Sequence, residues 1–126
     1  MSGFLLDAHL WWAWVVVVGN GLVGLWALGA HQWPRLRHRV LWWCTGAAYV
    51  AVAIQVVLGT LLVTREDREA PQFHMFYGFV ALASVGIIYS YRHQLADRRY
   101  LLFGFGSLFV MGLAIRAMVV GTTRSL

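Results

Sequence analysis

The chain has little of what a soluble domain is built from. Its 126 residues include five acids, two prolines and one cysteine, and charged residues make up only 12% of the whole. A single cysteine excludes an internal disulfide, and Cys44, near one end of an apolar run, reads as a small packing residue. Zinc-type spacings of Cys and His are absent, as are H-E-x-x-H, G-x-S-x-G and a glycine-rich phosphate loop. Gly19, Gly21 and Gly24 fall inside an apolar run and precede no phosphate-binding helix start. Hydrolase and kinase chemistry therefore have no footing. There is no internal repeat of about 20–50 residues, no low-complexity tract and no linker, so residues 1–126 read as one domain.

What the chain does have is apolar surface. Apolar residues make up 60% of it, against about 45–50% in soluble domains. Four apolar runs, approximately 8–30, 40–63, 73–91 and 100–121, each approach the roughly 20 residues that cross a hydrocarbon core. Lipid offers no hydrogen-bond partners, so runs of this length must close their backbone bonds internally as α-helices. The expected fold is all-α, a four-helix transmembrane bundle with the lipid bilayer as its first partner.

The ten basic residues are all arginine, giving a formal charge of +5. Six of them lie in two short loops. Arg35, Arg37 and Arg39 follow the first run, and Arg92, Arg98 and Arg99 follow the third with Asp97 as their one acid. This is a topology signal rather than a nucleic-acid signature. By the positive-inside rule both loops are cytoplasmic, and both termini and the loop from Thr64 to Gln72 are extracytoplasmic. Glu66, Asp67 and Glu69 in that outer loop read as solvated. No basic segment precedes the first run, so that run is expected to remain as a helix rather than be cleaved. Trp11, Trp12, Trp33, Trp42 and Trp43 cluster near span ends, as interfacial tryptophans do.

Polar groups within spans are costly and point to function. His9 and His74 lie near the outer ends of the first and third spans, Arg116 one to two turns below the outer end of the fourth, Gln55 deeper in the second, and Asn20 midway along the first. At 100° per residue His9, Ala13, Val16, Asn20 and Ala27 share a stripe, because eleven residues return to within about 20° of the start. His74 is followed on its stripe by Gly78, Ala81 and Val85, and Gln55 by Gly59. Small residues one turn from each polar group leave room for a flat macrocycle, though they also line ordinary helix contacts in membranes. Two histidines at matching depth on parallel helices satisfy bis-imidazole ligation of one haem b, with Arg116 available to a propionate. An interfacial histidine without a partner and an arginine reaching to the headgroups are the plainer alternatives. His31 and His93 do not extend the pattern: His31 lies about 33 Å along the helix from His9, among the inner-loop arginines. His31, His38 and His93 read as loop histidines.

The run "IQVVLGTLLVTREDREAPQFHMFYGFVAL" resembles one half of the haem A synthases, with their Q-x-x-L-G, a proline-containing loop and then a ligating histidine, through Gln55, Leu58, Gly59, Pro71 and His74. "HLWWAWVVVVG" is similar to the family's segment around the partner histidine through His9, Ala13 and Gly19, with a one-residue offset at the last. The resemblance covers roughly residues 5–90 and implies a haem-holding four-helix unit of a prokaryotic cytoplasmic membrane. The family's Glu four residues before the ligating histidine and the Arg directly after it are here Leu5 and Leu10, and its paired outer-loop cysteines are missing. Asp7 would sit about 200° off the histidine face of a helix. The expectation is therefore a small cytochrome b-like protein with no catalytic residues, with His9 and His74 on the iron and Arg116, Gln55, Asn20, Ala13 and Gly78 around the ring. It would serve electron transfer or haem handling beside a larger respiratory membrane complex. A half-sized haem A synthase-like oxygenase working as a homo-oligomer and a haem-free accessory subunit stand as alternatives.

Overall fold

A computed structural model of the chain describes residues 2–65 and 71–122. Four α-helices account for nearly all of them: α1 (Ser2–Gln32), α2 (Arg39–Arg65), α3 (Gln72–Ser90) and α4 (Arg99–Thr122). All four are long and apolar enough to cross a membrane. The outer-loop acids Glu66, Asp67 and Glu69 lie outside the described residues.

Helix α1 starts six residues before the expected span, because Leu5, Leu6 and Ala8 are good helix formers and no proline interrupts them. Its end is set by Pro34. The preceding Trp33 is driven to an extended conformation (φ −118°, ψ 105°), and a single 3-10 turn over Pro34–Leu36 reverses the chain. The last carbonyls of α1, which have no helical partner, are closed by a side chain. Arg37 donates from Nε to the Ala30 carbonyl at 2.8 Å and from Nη2 to the His31 carbonyl at 3.2 Å. Pro71, with φ −57° and ψ 141°, stands directly before α3, a position its missing N–H does not penalise.

The helices form a ring in which α1 packs on α2 and α4, and α3 packs on α4. The α2–α3 seam is sparse by comparison. The closest approach is between α1 and α4. A Cβ on Gly24 would stand 3.0 Å from the Gly104 carbonyl oxygen, and one on Gly104 would stand 2.5 Å from Leu28 Cδ2 and 3.1 Å from the Leu28 nitrogen. These backbones touch, as membrane helices do where dispersion must replace the hydrophobic effect. Large apolar side chains face outward: Trp11 is 76% and Trp43 75% exposed, whereas Asn20 and Ser107 are fully buried. That inside-out distribution suits lipid as the surrounding solvent. Across the bundle the Tyr49 hydroxyl of α2 meets Ser107 Oγ of α4 at 2.9 Å.

Contacts between His9 and Gly59 and between His74 and Gly121 bring residues 9, 59, 74 and 121 to one end of the bundle. The two arginine-rich turns lie at the other.

Candidate functional site

His9 stands two turns into α1 and His74 is the third residue of α3. Both are half-buried, and their rings meet across the bundle with centroids 5.9 Å apart and planes at 86°. The His74 ring is fixed by α4: Nδ1 lies 2.8 Å from the Ala117 carbonyl oxygen. A carbonyl only accepts, so Nδ1 is the donor in this contact. Nδ1–H on a backbone carbonyl is the support that metal-binding imidazoles have.

The His9 ring leans on α2. Its Cε1 is 3.2 Å from where a Gly59 Cβ would stand, so any larger residue at 59 would push the imidazole away. One turn earlier on α2, Gln55 donates from Nε2 to the His9 carbonyl at 2.8 Å. Two polar atoms at this contact, His9 Nδ1 and Gln55 Oε1, are buried with no hydrogen-bond partner. Such atoms cost roughly 1–3 kcal/mol each when left unpaired; a third, Asn20 Oδ1, lies about 16 Å further along α1.

The other expected site residues divide. Ala13, one turn below His9, is buried on the same stripe. Asn20 shares the stripe but not the site: eleven residues carry it about 16 Å down the helix, where Nδ2 donates to the Val16 carbonyl at 2.9 Å and approaches that of Ala48 at 3.5 Å. Gly78 was expected to make room, and a Cβ there would meet nothing within 4 Å, so the space beside it is open. The glycines that touch the imidazoles are Gly59 and Gly121, a Cβ on the latter standing 2.7 Å from His74 Nδ1. Arg116 is exposed, its guanidinium 5.8 Å from the centre of the Tyr77 ring. Ala117 and Gly121 carry no chemistry of their own; their one sequence signal is small residues one helical turn apart on α4. At the far end of the bundle His38 Nδ1 accepts from the Val40 N–H at 3.1 Å, capping α2, and His93 is exposed.

Among the described residues no group of three or more His, Cys, Asp or Glu side chains comes together to hold a metal ion. The histidine pair offers two donors, so a metal here would need its remaining ligands from a macrocycle. The two rings stand in edge-to-face contact at 5.9 Å. The His74 Nδ1 contact with a carbonyl is of the kind that ligating imidazoles make, whereas His9 Nδ1 has no such acceptor. No protein-family model matches the chain, and neither a curated protein nor a solved structure does. Sequence and structure together describe a small, hydrophobic, membrane-type four-helix bundle.

Proposed function

We propose that this protein is an integral-membrane haem b protein in which His9 and His74 are the two axial ligands, serving electron transfer or haem handling. The observation that carries the proposal is the meeting of these two imidazoles, from helices that make little direct contact, at 5.9 Å. The resemblance of Gln55, Leu58, Gly59, Pro71 and His74 to the haem A synthase pattern supports it. His9 and His74 would hold the haem, which would supply a one-electron couple there.

The protein's own residues have distinct tasks. The Ala117 carbonyl, by accepting from His74 Nδ1, orients the ring. Gly59 and Gly121 let α2 and α4 approach the imidazole edges. Gln55 anchors the His9 backbone and leaves Oε1 facing the same buried contact. Arg116 is the guanidinium for a propionate, held at this end beside Tyr77. By the positive-inside rule the pair faces the outer leaflet with both termini extracytoplasmic, in a prokaryotic cytoplasmic membrane. A larger respiratory membrane complex is the expected partner, since little of the chain lies outside the helices to dock a soluble one.

For the oxygenase alternative, the acid that the described residues offer near the pair in sequence is Asp7. Asp7 is exposed on a helix already formed at that point, and the flanking positions are Leu5 and Leu10. The haem-free alternative draws on the same 5.9 Å separation, which also lies within edge-to-face contact range for two rings. One measurement separates the haem-free alternative from the two haem-binding readings. A reduced-minus-oxidised difference spectrum of the purified protein should show low-spin b-type bands, and a preparation that stays colourless after reconstitution with haem b defeats the proposal.

A further inference from the structure

The arginine end holds a second arrangement that the haem reading does not use. Arg37 and Arg99, from different turns of the chain, converge on one aromatic ring: their guanidinium carbons lie 4.9 and 5.3 Å from the Tyr100 ring centre. Arg99 is also 5.5 Å from the centre of Trp42, and the Trp42 and Tyr100 rings pack at 5.3 Å. Two like charges gathered on one ring repel, and no ion pair relieves them: Asp97 is the single acid at this end, against six arginines.

A guanidinium over a ring face interacts through its charge and keeps its in-plane N–H donors. Arg37 commits two of its five N–H groups to α1 carbonyls, which holds the rest in place. Arg99 makes no side-chain hydrogen bond among the described residues and is exposed. The unsatisfied donors, the positive charge and the amphipathic Trp42 and Tyr100 rings all lie where four membrane-length helices end, at headgroup depth. We propose that Arg37 and Arg99 bind the phosphate of an anionic phospholipid, with Trp42 and Tyr100 against the glycerol and upper acyl chain. The chemistry is charge-assisted hydrogen bonding of guanidinium to phosphate oxygens, and it is independent of whether haem binds at the other end.

The test uses the whole protein in nanodiscs of equal phosphatidylcholine and phosphatidylglycerol, with retained lipid identified by native mass spectrometry. The protein should keep phosphatidylglycerol over phosphatidylcholine, and Arg99→Gln should lower that preference about tenfold, the factor one charge-assisted hydrogen bond contributes. Arg35→Gln, which removes an equal charge from an arginine that contacts no ring among the described residues, should leave the preference in place. Equal loss in both variants would mean a diffuse field and no site. Displacement of the lipid by inorganic phosphate would reassign the site to a free anion and overturn the lipid assignment. If Arg99→Gln fails to insert, Arg99→Lys takes its place. A point charge cannot reproduce the planar fork, so the preference should still fall, and an unchanged preference would sink the proposal.

Discussion

The two ends of the bundle treat their polar groups in opposite ways. At the arginine end the helix-terminal carbonyls are closed: Arg37 reaches those of Ala30 and His31, and the Trp26 indole N–H reaches that of Leu36 at 2.9 Å. At the histidine end His9 Nδ1 and Gln55 Oε1 are buried without partners. An unpaired buried polar atom costs more than an exposed one, which water can satisfy. One end holds the turns together and presents charge outward; the other leaves inward-facing valences open.

The comparison breaks most completely at the histidines. His9→Ala and His74→Ala should each abolish the low-spin haem spectrum, whereas His31→Ala should leave it intact; loss of the bands from His31→Ala would move the site to the wrong end. Next is the seam that fixes the two ends relative to each other. Gly104→Ala drives a methyl into Leu28 at about 1–3 kcal/mol of overpacking. Gly112→Ala meets nothing within 4 Å and should show only the helix-propensity gain of up to about 1 kcal/mol. Unfolding titrations in mixed detergent micelles should separate the two variants by at least the overpacking cost. Arg37→Ala should reopen the α1 carbonyls and cost about 1 kcal/mol by the same assay, modest because those groups can regain water. The smallest effect is expected of Gln55→Leu. Losing the bond to the His9 carbonyl is offset by losing the orphaned Oε1, so haem-free stability should change by less than about 1 kcal/mol, while the haem midpoint potential shifts. An unmoved potential would show that Gln55 has no part in the site.

Much of the architecture was legible in the chain. Four runs near 20 residues, with lipid forbidding open backbone, leave little but four helices, and the structure has four. The early start of α1 was missed because hydropathy marks where a span is apolar, not where the backbone first becomes helical. The site was legible in part. Matching depth picked out His9 and His74, since depth follows from residue count along a straight rod. A shared stripe misplaced Asn20, because periodicity gives a face and says nothing of height: about 16 Å separates it from His9. Gly59 was legible as the small residue after Gln55, whereas Gly121 was not, because which glycine faces an imidazole from another helix depends on the packing.

The sequence by itself determined the helices, their lengths and the segregation of arginine from histidine, all of which follow from local composition and a rise of about 1.5 Å per residue. Only the tertiary structure decided which residues touch: that α1 and α4 meet through Gly24 and Gly104, that the Ala117 carbonyl holds His74, and that Arg37 and Arg99 share the Tyr100 ring. Rotation of each helix about its axis is a property of the whole packing, and no single segment carries it.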